Sequence, residues 1–189
     1  MLAFSNDYYG MIFRATQSVE LFCAYLRTMN KSDIDDLKEW ISDISLYEYW
    51  GKRPSKSEKN PELLFDKSKK STKSFHWGIV HKQDSKVIGE IWIYLIENNR
   101  MAKVAFRLSK QYQGNGLMSE VLKSVIEFCF SKTELQKIWT DVHILNHASY
   151  KTLEKVGFQR EGHIREGKMV NTYCDYYLYG ILKSDYSTS

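Results

Sequence analysis

The sequence predicts an α/β (α+β) fold, in which a mixed, largely antiparallel sheet carries helices on both faces. Apolar residues alternate over short stretches bounded by turn residues, and elsewhere they recur at helical spacing. The predicted elements follow the order β-α-α-β-β-β-α-β-α-β-β. Neither a repeat nor a linker divides the 189 residues. We therefore expect one domain over residues 1–189, with residues 1–18 as a leading strand or arm.

The first half of the chain is predicted to hold two helices and four strands. Ser32 is the predicted N-cap of the first helix, whose apolar residues recur at helical spacing: Ile34, Leu37, Trp40 and Ile41. A second, short helix is predicted within Ser57–Lys67, with Pro61 in its first turn. The predicted strands are Val19–Met29, Ser74–His81, Lys86–Ile96 and Ala102–Leu108.

The second half opens with a long helix that starts at Leu117 and carries a wide apolar stripe. Asn146 is the predicted cap of a shorter helix through Val156, which Gly157 ends in a left-handed conformation. The predicted strands are Lys137–Leu145, Gln159–Met169 and Tyr173–Leu182, with Asn171 in the last turn.

The stretch Gln111–Gly116 joins a predicted strand directly to the long helix. The first N–H groups of a helix lack internal partners and attract anions, and glycines let the backbone approach a ligand. Gly114 and Gly116 therefore predict a cradle for phosphate or pyrophosphate, although an ordinary turn is the alternative. The P-loop ending is absent, and Ser119 stands where a dinucleotide fingerprint needs a third glycine.

The spacing Gln-x-x-Gly-x-Gly, from Gln111 to Gly116, resembles the acyl-CoA loop of the GNAT superfamily of N-acetyltransferases. Further matches resemble its ribosomal-protein N-terminal acetyltransferase branch: Asn146–Ser149, Leu153–Phe158, Glu161-Gly162 and Asp175-Tyr176. The resemblance spans roughly residues 20–185. It implies a GNAT fold in which the acyl donor inserts between two splayed parallel strands, Ala102–Leu108 and Lys137–Leu145. It also implies acetyl transfer from acetyl-CoA to a primary amine by direct attack in a ternary complex.

The resemblance places the pyrophosphate on the backbone amides of Gln113–Met118 and the pantetheine arm beside Phe106–Leu108 and Asn146. The cofactor-binding residues it implies are Phe106, Arg107, Leu108, Gln111, Gln113, Gly114, Asn115, Gly116, Leu117, Met118, Asn146 and Ser149.

The sequence identifies the catalytic acid and base less directly than the cofactor-binding residues. Lys103 stands near the position where this branch commonly has a carboxylate, and Leu153 matches the tyrosine acid of other branches. We predict Ser149 as proton donor, the alternative being a second polar group in the helix's first turn. Glu90 is the candidate general base, against the alternative of an outward-facing strand carboxylate. An α-amine of pKa about 7.7–8.0 costs only about 1–1.4 kcal/mol to deprotonate at pH 7, whereas lysine costs roughly 4.6 kcal/mol.

The acceptor is expected to be a protein N-terminal amine or a small molecule such as a polyamine, amino acid or aminated antibiotic. The aromatic segment Leu46–Trp50 predicts either acceptor-site lining or a hydrophobic plug. Two non-enzymatic readings compete: an acyl-CoA-binding sensor or interaction module, which Lys103 favours, and an interaction domain that has lost CoA.

Composition limits the partners. A net charge of +4 suits an anionic ligand such as CoA but falls short of a nucleic-acid binder. No apolar run approaches the roughly 18 residues of a membrane span. Three widely spaced cysteines indicate reduced thiols and a cytoplasmic protein. His143 and His147 straddle a strand-to-helix boundary, so no metal is expected. The sequence leaves a homodimer open.

Overall fold

The computed structural model describes residues 19–65, 74–96 and 100–187, so the predicted leading arm lies outside the described residues. The strands are β1 (Val19–Glu20), β2 (Ala24–Arg27), β3 (Ser74–His81), β4 (Lys86–Ile96), β5 (Met101–Leu108), β6 (Lys137–His143), β7 (Gln159–Met169) and β8 (Thr172–Leu182). The α-helices are α1 (Ile34–Trp40), α2 (Lys56–Lys59), α3 (Glu62–Phe65), α4 (Leu117–Lys132), α5 (His147–Lys155) and α6 (Lys183–Ser187). Short 3-10 helices occupy Lys31–Asp33, Ile44–Tyr47 and Lys110–Tyr112.

The described strands form one sheet in the order β1-β2-β3-β4-β5-β6-β8-β7. Its adjacent strands are antiparallel except for β5 and β6, which run parallel. Parallel neighbours need a crossover connection, and α4 provides it here. The prediction of a mixed, largely antiparallel sheet is confirmed.

Helices cover both faces of this sheet. Successive residues of a strand point to opposite faces, and in β3 the neighbours Ile79 and Val80 accordingly belong to different apolar clusters. The larger cluster joins the sheet to α4 through buried residues such as Val121. The smaller cluster joins Val80 to α1 through Leu37. The wide apolar stripe predicted for α4 therefore faces the main core.

The two parallel strands separate along their length. Met101–Lys103 of β5 pairs with Lys137–Trp139 of β6, and the ladder between them ends there. Over the remaining residues, β5 stays paired with β4 and β6 with β8. A gap therefore opens between β5 and β6 toward their carboxyl ends, as expected for the splayed pair.

Three local predictions were wrong. Val19–Met29 is not one strand but a hairpin, in which β1 pairs with β2 (Val19 opposite Leu26). Glu120 of α4 holds its turn by accepting hydrogen bonds from the backbone N–H groups of Phe22 and Cys23. The partner that bends the chain lies about a hundred residues away, which explains why a local pattern missed it.

The predicted N-cap of the first helix was also wrong, and the second predicted helix is interrupted. Asn30, not Ser32, accepts the capping hydrogen bond at the start of the 3-10 helix that leads into α1, and it forms a capping box with Asp33. The stretch predicted as one helix from Ser57 is two short helices, α2 and α3, separated at Asn60-Pro61. Proline has no N–H to donate and its ring clashes with the preceding turn, so the helix restarts after it.

Candidate active site

The glycine turn before α4 forms the predicted cradle. Gly114 and Gly116 adopt φ values of 83° and 79°, and Gly116 is the N-cap residue of α4. A Cβ atom built on Gly114 would meet nothing within 4 Å, and one on Gly116 would approach only Lys155 Nζ, at 3.9 Å. The space beside both residues is therefore open, and the N–H groups of the first helical turn, which lack partners within the helix, would favour an anion there.

A cavity of about 470 Å³ extends from this cradle. It is lined by the end of β5, the first turns of α4 and α5, and the aromatic segment. Of the predicted cofactor residues it contains Phe106, Arg107, Leu108, Gln113, Gly114, Gly116, Leu117, Met118, Asn146 and Ser149. Gln111 and Asn115 are exposed and do not line it.

Lysines surround the cavity near the cradle. Lys110, Lys151 and Lys155 line it, and among the described lining residues Glu48 alone carries a carboxylate. None of the three lysines was predicted as a site residue from the sequence. Lys151 and Lys155 are four residues apart on α5 and so share one face of that helix, a spacing that would have identified them. Their charge complements a phosphorylated ligand.

The start of α5 is built as predicted. Asn146 accepts a hydrogen bond from the backbone N–H of Ser149 at 3.2 Å and thereby caps the helix. Gly157 ends the helix at φ 99°, where Phe158 N–H donates to Leu153 O and Gly157 N–H donates to Glu154 O. Asn146 and Ser149 both line the cavity, whereas their roles toward the pantetheine arm and the proton stay predictions.

Glu90 occupies a different environment from the outward-facing one considered above. Its side chain is 1% exposed and does not line the cavity. One carboxylate oxygen accepts from Arg107, and the other lies 2.6 Å from His76 Nε2. Its role as general base stays a prediction, and the buried position shows that the outward-facing alternative was wrong.

Arg107 is the centre of this buried cluster. The guanidinium also donates to Glu58, 3.0 Å away, and its Cζ lies 4.9 Å from the ring centre of Tyr47. Trp40, Trp50 and Trp92 complete an aromatic surround at 5.3–5.7 Å. Burial works against the charge, yet Glu90 and Glu58 outweigh it and raise the pKa of Arg107. Its side chain is thus held by protein groups on the face of the sheet opposite α4.

The aromatic segment divides between the two roles expected for it. Leu46, Glu48, Tyr49 and Trp50 line the cavity. Tyr47 is buried, and its hydroxyl donates to Ile41 O at 2.5 Å, so this residue is the plug. Lining of an acceptor by the exposed members stays a prediction.

Lys103 and the two histidines considered above do not line the cavity. Lys103 forms an ion pair with Asp141 and stacks its ammonium over Trp139 at 5.2 Å. His143 and His147 contact different rings, those of Tyr49 and Tyr150.

Within the described ranges, no three His, Cys, Asp or Glu side chains converge in a way that would hold a metal ion. The helices of the same ranges include none that is long and apolar enough to cross a membrane.

Comparison with known proteins agrees with this geometry. Residues 24–159 match the model of the acetyltransferase (GNAT) domain, and the chain therefore belongs to the GNAT family. It is an acetyl-CoA-dependent N-acetyltransferase. Membership of this enzyme class favours a catalytic function over the two non-enzymatic alternatives, the acyl-CoA-binding module and the interaction domain that has lost CoA.

Three similar proteins illustrate the relationship. The uncharacterized N-acetyltransferase p20 of Bacillus licheniformis is 27% identical, over 86% of this chain and 94% of its own. Spermidine N(1)-acetyltransferase of Vibrio cholerae is 26% identical, over 85% of this chain and 94% of its own. The crystal structure of ribosomal-protein-S5-alanine acetyltransferase from Vibrio fischeri superposes with a TM-score of 0.75 at 22% identity, covering 89% of this chain and 97% of the other.

Proposed function

We propose that this protein acetylates a primary amine of low pKa, foremost the α-amino group of a peptide N-terminus. The observation that carries the proposal is the single cavity that joins the glycine cradle to the aromatic segment. The thioester of acetyl-CoA supplies the acetyl group: its C–S bond breaks as a C–N bond forms, and the thiolate takes up a proton.

The cradle and the lysines supply what the donor requires. Backbone N–H groups at the start of α4 bind the diphosphate, and Lys110, Lys151 and Lys155 add positive charge around it. Asn146 and Ser149, at the start of α5, line the same cavity. We assign the proton for the departing thiolate to the Ser149 hydroxyl.

The acceptor class follows from the carboxylates. Glu90 and Glu58 are bound to Arg107, and Asp141 is bound to Lys103, which leaves exposed Glu48 as the carboxylate of the cavity wall among the described residues. An α-amine costs only about 1–1.4 kcal/mol to deprotonate at pH 7 and needs no strong base. A polyamine carries several charges that would require several carboxylates.

A polyamine is the second candidate, because the spermidine acetyltransferase named above is a relative over most of both chains. A thiol-release assay distinguishes the two. The protein is given acetyl-CoA and, separately, peptides with unblocked N-termini, spermidine and aminoglycosides. We expect kcat/KM to be highest for a peptide. Release with spermidine but no peptide would contradict the proposed acceptor, and no release with any amine would contradict the assigned chemistry.

A further inference from the structure

One nitrogen of the buried Arg107 guanidinium has no hydrogen-bond partner. A guanidinium carries five N–H donors. Glu90 accepts from Nε and Glu58 accepts from Nη2, whereas Nη1 is buried and bonds to none of the described residues. Leaving a buried charged donor unsatisfied is costly, and such groups in folded proteins usually bind a further oxygen. Nη1 is therefore placed to receive an oxygen atom from outside the protein.

The position of Arg107 indicates where that oxygen comes from. Arg107 stands between Phe106 and Leu108 at the end of β5, and all three residues line the cavity. The ring of Trp50, which lines the same cavity, lies 5.3 Å from the guanidinium. The guanidinium thus lies between the end of the splayed strand and the aromatic segment. Displacement of the half-buried Trp50 ring would open the guanidinium to a ligand in the cavity.

The charge of the cluster indicates which kind of oxygen fits. Lys52 Nζ lies 3.0 Å from Glu58, so two cations, Lys52 and Arg107, balance the carboxylates of Glu58 and Glu90 when His76, 2.6 Å from Glu90, is neutral. A further carboxylate would bring an uncompensated negative charge next to two others in a buried place. A neutral carbonyl oxygen accepts the hydrogen bond without that cost.

We propose that Arg107 determines acceptor specificity, with Nη1 donating a hydrogen bond to the carbonyl oxygen of the acceptor's first residue. The acceptor is then an α-amino amide, as at a peptide N-terminus. A polyamine has no oxygen to accept this bond. The inference rests on the proposed function and adds the residue that recognises the acceptor.

The test compares two acceptors that differ in one atom. The first is an alanyl peptide, and the second is the same peptide with sulfur, a weak acceptor, in place of its first carbonyl oxygen. Both keep the α-amine. For the unmodified protein we expect kcat/KM to fall about tenfold on sulfur substitution, the size expected for loss of a hydrogen bond from a charged donor.

Arg107→Lys keeps the charge and removes Nη1, and it is expected to treat the two peptides alike, within about twofold, since only the discrimination depends on that donor. Arg160→Lys is the matched control, because Arg160 is exposed and stacks on Tyr177 away from the cavity. It should keep the tenfold difference. Thermal unfolding checks that both variants fold.

The unmodified protein decides the question even if Arg107→Lys fails to fold. Equal kcat/KM for the oxygen and sulfur peptides would overturn the role of Arg107 while leaving acetylation of α-amines intact. Turnover of spermidine without turnover of either peptide would overturn both the role of Arg107 and the proposed acceptor. Discrimination that persists in Arg107→Lys would assign it to another group and overturn the proposal.

Discussion

At the scale of single residues, Gly116 combines a left-handed backbone with open space beside its Cα atom. An L-residue in that conformation is strained because its Cβ crowds the backbone. Gly157 has the same kind of backbone, φ 99°, but ends α5 outside the cavity wall. The two glycines thus share the conformational requirement and differ in their access to the cavity.

We predict that Gly116→Ala and Gly157→Ala each lower the free energy of unfolding by about 1–2 kcal/mol, because both force alanine into a left-handed conformation. Only Gly116→Ala places a methyl group in the cradle. It should raise the KM for acetyl-CoA roughly tenfold, the effect of losing a hydrogen bond to a charged group. Urea unfolding and steady-state kinetics measure the two quantities. An unchanged KM in Gly116→Ala would exclude the cradle as the donor site.

A second prediction at this scale concerns the Ser149 hydroxyl. Ser149→Ala should lower kcat by about 10²-fold, the lower limit usual for a general acid, and leave the KM for acetyl-CoA nearly unchanged. Thr152→Val is the control, since Thr152 lines the same cavity but its hydroxyl already donates to Ala148 O at 2.7 Å. A loss in Ser149→Ala no larger than in Thr152→Val would remove serine as the proton donor.

At the scale of elements, α2 ties the aromatic segment to the sheet. Ser55 and Glu58 form its capping box, and the same Glu58 carboxylate binds Lys52 and Arg107. One side chain therefore closes a helix end and anchors that helix to β5. Burial alone would raise the pKa of Glu58, but the hydrogen bonds from Ser55 and the charges of Lys52 and Arg107 lower it to about 2.

The low pKa of Glu58 predicts that the anchor, the contact of the Glu58 carboxylate with Lys52 and Arg107, weakens in acid. The folded-state pKa lies below the value of about 4.3 in unfolded chains, so the carboxylate stabilises the fold above that pH. The contribution, roughly 3 kcal/mol at most, is lost as the pH falls from about 4.3 toward 2. Glu58→Gln should be less stable than the unmodified protein at pH 6 and should lose less stability on going to pH 2.5, as measured by urea unfolding.

Glu62→Gln is the control for this pH dependence. Glu62 is exposed and pairs with Lys38 at 3.3 Å, and surface pairs of this kind contribute about 0–1 kcal/mol. The free energy of unfolding of Glu62→Gln should therefore change with pH as that of the unmodified protein does. If Glu58→Gln follows the same curve too, the anchor makes no pH-dependent contribution.

At the scale of the whole molecule, the cavity joins elements from distant parts of the chain: the aromatic segment, β5, α4 and α5. A ligand bound there holds these elements together and favours the folded state by mass action. The β5–β6 ladder ends at Lys103 and Trp139, so a ligand seated between the strands would supply contacts that the backbone does not make there.

We predict that CoA at about 100 times its Kd stabilises the protein by about 2.7 kcal/mol. For a chain of this length, that corresponds to a rise in Tm of roughly 5–10 °C. Differential scanning fluorimetry measures the shift, and the two glycine variants provide the comparison. Gly157→Ala should show the full shift and Gly116→Ala a reduced one. A Tm that CoA leaves unchanged would contradict CoA binding in the cavity.

The features that the sequence predicted correctly are mostly local ones. The glycine turn into α4, the Asn146 cap and the Gly157 stop depend on residues within one or two turns of each other. The β1–β2 hairpin was missed because Glu120, remote in sequence, holds its turn.

The sequence by itself indicated the family, through its motifs, and the glycine turn into α4, because backbone conformation at a turn depends on near neighbours. Only the tertiary structure decided the environment of Glu90 and Arg107. Their partners Glu58 and His76 come from other elements, and the net effect of burial and charge depends on how those elements pack. Whether a carboxylate faces solvent or a buried guanidinium is a property of that packing, which no local pattern encodes.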